Sequence, residues 1–169
     1  VEEFLNKLSL NNVSYIVNVS HYVQEAMFKY VPSRINKSKV IYNIIKQARS
    51  QTLHKNNENI FTLIAIGCIC KNKNFELIIY SIKFIKDEYD IELYLNIIGT
   101  GDDIEYLQRK INKLKLSEYI KLLGYIDNPS DYISNSSMLI SSSNSESFGI
   151  VVAEALACEV PVIATNTGA

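Results

Sequence analysis

From Phe61 onward, short apolar runs alternate with stretches of helical periodicity, and each run stops at a glycine or a polar loop. That alternation constrains the fold more than any other feature. Phe61–Ile66 (FTLIAI) is apolar at successive positions, so it needs cover on both faces, the condition of a strand inside a parallel sheet. It ends at Gly67 and is followed by the polar loop CICKNKN. A helix begins at about Phe75, where Phe75, Ile78, Ile79, Ile82 and Ile85 recur at helical spacing with Asn74 as its cap. Residues 91–98 (IELYLNII) read as a second strand ending in Gly99-Thr100-Gly101. Asp102 or Asp103 can cap the next helix, whose stripe is Ile104, Leu107, Ile111 and Leu114. Residues 120–123 form a short strand before Gly124, 129–134 a brief helix and 138–141 another strand. After SSNSES, residues 148–158 fit a helix and 161–164 (PVIA) a last strand.

Strands separated by helices imply right-handed crossovers, hence an α/β fold: a Rossmann-like parallel sheet with helices on both faces. Ligands of such sheets bind outside the carboxyl ends of the strands. The loops 67–74, 99–103, 124–128, 142–148 and 165–169 all fall there. The first sixty residues lack this rhythm. Residues 14–19 can be a strand and 21–30 a helix capped by Ser20, while 40–43 (VIYN) is short and apolar and 44–59 unpatterned. Residues 1–30 are therefore read as the tail of a preceding domain, 31–59 as an interdomain linker, and 60–169 as the principal domain. The chain begins at Val1 and stops at Gly168-Ala169 just after a strand, so that domain is expected to be incomplete at its C-terminus.

Composition narrows the function. With 47% hydrophobic and 21% charged residues among 169, the sequence is that of a globular domain. A formal net charge of -1 offers no cationic face to nucleic acid, so none is expected as a partner. Three cysteines, Cys68, Cys70 and Cys158, make neither a disulfide framework nor a zinc motif and favour a reducing, cytoplasmic setting. Cys68 and Cys70 are expected to alternate faces, leaving at least one buried and inert. His21 and His54 read as structural or solvated, and the tyrosines as packing residues. No Asp/His cluster suggests a metal site. Gly99-Thr100-Gly101 lacks the third glycine of a dinucleotide fingerprint, and no acidic residue ends the strand near Leu123, which argues against NAD.

The stretch from Ser141 to Ala169, SSSNSESFGIVVAEALACEVPVIATNTGA, carries the chemistry. Glu146 precedes a helix and Glu154 lies within it. A helix N-terminus is a seat for a diphosphate. Carboxylates beside that seat suit sugar hydroxyls, each charge-assisted bond being worth roughly 1.5–3 kcal/mol. Taken alone, the two residues would more often be a loop carboxylate and a solvated helix position, as Lys73 alone would be a surface lysine. The pattern, however, closely resembles the signature of the retaining group 1, or family 4, glycosyltransferases of GT-B fold. Ser143, Glu146, Phe148, Gly149, Glu154, Ala155, Ala157, Cys158, Pro161, Val162, Ala164, Thr165 and Gly168 fall in place. Gly67 with Lys73, Gly99-Thr100-Gly101, Gly124, Val40–Asn43 and Val17–Ser20 match further segments in order.

The resemblance implies the C-terminal, donor-binding half of such an enzyme, moving a sugar from a nucleoside diphosphate sugar to a glycan, lipid or small-molecule hydroxyl. Glu146 and Lys73 would be catalytic: Glu146 would orient the sugar and Lys73 would meet the diphosphate. Glu154 would hold the ribose, and Gly67, Gly99, Gly124, Phe148, Gly149, Ile150 and Gly168 would complete the donor site. Neither cofactor nor metal is implied, and peripheral membrane association would come through the other domain. Cys68 stands where the family usually has Arg; Ser147, Glu159 and Ala169 replace glycines. These departures keep a degenerate, non-catalytic donor-binding domain open as an alternative, beside a nucleotide-sugar epimerase of the same fold. The chain alone is expected to transfer nothing.

Overall fold

A computed structural model describes residues 13–45 and 60–167. They form two compact units. The first holds described residues 13–44, 145–149, 166 and 167; the second holds 45, 60–144 and 150–165.

In the first unit, strand β1 (Ile16–Asn18) leads into helix α1 (His21–Tyr30). Ser20 caps α1 from an extended backbone, accepting the Val23 amide at 3.2 Å. A 3-10 turn, Pro32–Lys37, leads into β2 (Ser38–Val40), which pairs in parallel with β1. The stretch expected to link two domains thus starts with ordered structure. The VIYN segment contributes only Val40 to a strand, and His54 lies outside the described residues.

The second unit holds a five-stranded sheet of β3 (Phe61–Ile66), β4 (Leu93–Ile98), β5 (Ile120–Gly124), β6 (Met138–Ser141) and β7 (Val162–Ala164). The order is β5-β4-β3-β6-β7, with every pair parallel. Its helices are α2 (Phe75–Tyr89), α3 (Ile104–Lys113), α4 (Ser130–Ser134) and α5 (Ile150–Ala157). The continuous apolar runs are explained by what each face meets. Leu63 and Ala65 of β3, with Leu95 and Ile97 of β4, pack against Phe75, Ile78, Ile79 and Ile82 of α2 and Leu107 and Ile111 of α3. Ile64 and Ile98 point the other way, into a second core with Ile133, Leu139, Ala155, Cys158 and Val160. Successive residues therefore serve opposite cores, as a strand covered on both sides requires.

Two local expectations are corrected. The helix expected from Phe148 begins at Ile150, because Gly149 at φ 75° lies outside the helical range. Asn74 and Asp103 occupy the cap positions of α2 and α3, yet neither side chain makes a capping bond. Asn74 is left-handed (φ 49°, ψ 39°), whereas a capping side chain reaches the first turn from an extended backbone.

β3 and β4 run in register to their ends, Ile66 opposite Ile98, so Gly67 and Gly99 emerge side by side. The Gly67 amide donates to Ile98 O at 3.0 Å and the Gly99 amide to Gly124 O at 2.8 Å. A Cβ on Gly99, whose φ is 142°, would lie 1.9 Å from Gly67 O, whereas one on Gly124 would meet nothing within 4 Å. Gly99→Ala should therefore cost at least about 2 kcal/mol in urea unfolding. Gly124→Ala should cost only the left-handed strain, about 1–2 kcal/mol. Equal losses would show that the close approach to Gly67 does not matter.

Candidate functional site

The loop after β3 is fixed from both sides. Ile69, wholly buried in the α2–α3 core, donates its amide to Thr100 O at 2.8 Å and accepts the Asp103 amide at 3.2 Å. Its neighbours Cys68 and Cys70 are exposed and half-buried, so the expectation that at least one is buried fails. Residues two apart share a side, and here the buried side belongs to the residue between them. Cys158 is the buried cysteine.

Beyond Cys70 the chain turns, with the Lys73 amide donating to Cys70 O at 3.0 Å. The half-buried Lys73 side chain runs back over Gly67. A Cβ there would come within 3.0 Å of Lys73 Cε, so the glycine leaves the path open for the lysine stem. Gly67, Lys73, Gly99 and Gly124 are thus brought together at the carboxyl ends of β3, β4 and β5.

The loop after β6 holds this turn in place. Ser142, 5% exposed, donates its hydroxyl between Lys73 O (2.8 Å) and Asn74 O (2.9 Å). Asn144 donates its amide to Asn72 O at 2.8 Å and its side-chain Nδ2 to Lys71 O at 3.1 Å. Thr165, after β7, gives its amide to Ser141 O at 3.0 Å and its hydroxyl to Ser143 O at 2.6 Å. Pattern in the sequence points to Ser143 and Thr165 but not to Ser142 and Asn144. Their only signal is a run of small polar residues directly after a buried strand.

Ile150 opens α5, and Glu154 follows one turn later, half-buried beside the fully buried Ala155. Burial alone pushes the Glu154 carboxyl above its ordinary value. Glu154 is therefore not a fully solvated helix position. Glu146, Phe148 and Gly149 group with the first unit. There the carbonyl of Ser147 accepts the Ser20 hydroxyl at 2.5 Å, and the Phe148 ring lies 6.0 Å from that of Tyr42, which meets His21 edge-on at 6.1 Å. Glu146 is half-buried. Gly168 lies outside the described residues.

A separate cavity of about 340 Å³ opens between the same loop and the first turns of α2 and α3, with Cys70, Lys71, Asp103 and Tyr106 in its wall. Neither Gly67 nor Lys73 lines it. Among the described residues, no group of three or more His, Cys, Asp or Glu could hold a metal ion, and no helix is long and apolar enough to cross a membrane.

A parallel sheet whose strand ends carry glycines, a lysine and a network of hydroxyl and amide donors defines a Rossmann-like α/β domain. Known proteins extend that assignment. Residues 45–169 match the family described as Glycosyl transferases group 1. MJ1178, an uncharacterized glycosyltransferase of Methanocaldococcus jannaschii, is 30% identical over 164 residues, covering 96% of this chain and 43% of that protein. A second from the same organism, MJ1059, is 33% identical over 140 residues, 78% of this chain and 34% of its own length. The fold matches the crystal structure of the pneumococcal O-GlcNAc transferase GtfA in complex with UDP and GlcNAc. The TM-score is 0.78 at 20% identity, over 98% of this chain and 32% of that one. The chain spans less than half the length of these curated relatives. It belongs to the group 1 glycosyl transferases.

The raised Glu154 carboxyl carries a sign. Its ionised form is less favourable folded than unfolded, so stability falls as pH rises through its ordinary range toward the raised value. Glu154→Gln should raise the Tm at neutral pH, and the gain should vanish by about pH 3.5, where both states are protonated. A Tm lowered at neutral pH would show that the carboxylate is held by interactions stronger than its desolvation.

Proposed function

We propose that this chain carries the donor site of a glycosyltransferase that moves a sugar from a nucleoside diphosphate sugar to an acceptor hydroxyl with retention. The observation that carries the reading is Lys73 lying across Gly67 at the sheet's carboxyl edge, in a loop held by Ser142 and Asn144. In the reaction the bond from the anomeric carbon to the diphosphate oxygen breaks, a bond to the acceptor oxygen forms, and the acceptor proton leaves on the diphosphate. The transition state builds negative charge on the departing diphosphate. A positioned ammonium and backbone N–H groups lower its energy without reorganising when the bond breaks. Glu154, in the second turn of α5, takes the ribose hydroxyls in this reading, and Glu146 the transferred sugar.

UDP-sugars are the first donors to try, because GtfA was crystallised with UDP. The acceptor is a glycan, lipid or small molecule, bound largely by a domain outside this chain, and that domain would bring any peripheral membrane association. The reaction is taken to need neither metal nor cofactor, the lysine and the amides meeting the diphosphate charge. Cys68, exposed where the family resemblance expects Arg, supports a second reading in which the chain binds donor without turnover.

Lys73→Ala should weaken UDP binding by roughly 1.5–3 kcal/mol, about 10- to 150-fold, while leaving uridine nearly unaffected. Calorimetry with both ligands checks this, and equal losses would remove Lys73 from the phosphate. Cys68→Arg should tighten UDP without altering uridine, since a guanidinium grips phosphate in two places. If the parent turns over no UDP-, GDP- or ADP-sugar in full-length form while binding one of them, the non-catalytic reading replaces the enzymatic one.

A further inference from the structure

We propose that Cys68 and Cys70 form an oxidisable dithiol, a modification site for hydroperoxides whose closure to a disulfide reshapes the loop that carries Lys73. The Cys70 amide donates to Cys68 O at 2.9 Å, a three-residue γ-turn centred on Ile69. So tight a turn draws its first and third Cα atoms together, toward the separations that disulfides bridge, about 4.4–6.8 Å. Ile69 between them is fully buried, while Cys68 is exposed and Cys70 half-buried.

Both sulfurs can be reached. Cys68 is exposed, and Cys70 lines the 340 Å³ cavity beside the loop. A hydrogen bond with Cys70 is the largest of the influences that raise the Cys68 thiol above its ordinary value, so attack on a peroxide draws on a minor thiolate fraction and is slow. Burial and the charges of Cys70 and Asp102 add to that rise, against an opposing pull from Lys73.

The chemistry balances with one hydroperoxide. The Cys68 thiolate attacks the peroxide oxygen, giving a sulfenic acid and an alcohol, or water from hydrogen peroxide. The Cys70 sulfur then displaces hydroxide, which leaves as water, and the disulfide forms with both thiol protons accounted for. Two electrons pass from the sulfurs to the peroxide. A ring closed over Cys68, Ile69 and Cys70 must rework the γ-turn, and with it the Cys70 carbonyl that receives the Lys73 amide. The effect on donor binding rests on the function proposed above; the thiol chemistry does not.

The test treats the full chain with stoichiometric hydrogen peroxide, alkylates remaining thiols and follows the tryptic peptide 56–71, which holds both cysteines. Closure predicts a loss of about 2 Da with no alkylation, reversed by dithiothreitol. Phenylarsine oxide, which bridges paired thiols, should protect both cysteines in the parent and in Cys158→Ser, but neither in Cys68→Ser nor in Cys70→Ser. UDP affinity should fall at least about fivefold on oxidation, short of the full loss of the Lys73 contact, and Cys68→Ser should be indifferent to peroxide. A peptide 56–71 that stays doubly alkylated, or gains only oxygen, would overturn the dithiol. Closure without any change in UDP affinity would overturn its link to the loop. A reduced parent that binds no nucleoside diphosphate would instead sink the donor-site reading, with the mass change still reporting on the cysteines.

Discussion

The Gly99 amide donates to Gly124 while the Gly99 Cα rests against the carbonyl of Gly67, so three strands end with backbone meeting backbone and no side chain between them. The rest of the site is arranged around that contact. Because β3 and β4 finish level, the chain leaves both strands at one height, and the β3 loop can lean on Thr100 and Asp103 through the backbone of Ile69. Because Gly67 carries no side chain, Lys73 can lie back across it. Larger residues at these strand ends would force the loops apart.

The polar groups around this edge divide into those that could meet a ligand and those that hold the others. Lys73 belongs to the first kind. Ser142, Asn144 and Thr165 belong to the second, since each spends its donors on loop carbonyls within hydrogen-bond distance. The loop that carries Lys71 and Lys73 is thus held by neutral donors. Each neutral bond contributes about 1 kcal/mol, yet together they fix where the charge sits. Glu154 stands apart from that network: burial leaves its carboxylate poorly solvated, a state that a hydroxyl-bearing ligand would relieve.

Much of this was legible in the sequence because burial on two faces leaves a plain mark. FTLIAI and IELYLNII read as covered strands, although the second begins only at Leu93 and leaves Ile91 exposed. Identity was legible in the spacing of Glu146, Glu154 and Gly149 with their neighbours, which the family match over residues 45–169 bears out. The failures in the loop after β3 share one cause. Asn74 looked like a cap and Cys70 like an alternating strand residue because both were read by local rule, whereas the loop takes its shape from contacts with Thr100, Asp103, Ser142 and Asn144. Those partners lie about 30 to 70 positions away in the chain, where no periodicity can reveal them. The start of α5 failed more simply: apolar Phe148 extended a helical pattern that Gly149 ends.

Ile69 gives the loop an uncommon status. Most surface loops contribute little to a core, but here one residue of a seven-position loop is fully buried among the side chains of α2 and α3. Ordering this segment is thereby part of folding rather than part of binding. Fixing a residue's backbone costs roughly 1–2 kcal/mol of conformational entropy, and any ligand that bound at this edge would find the loop already ordered. That ligand's association should be governed by charge and desolvation, with little toll for immobilising the protein.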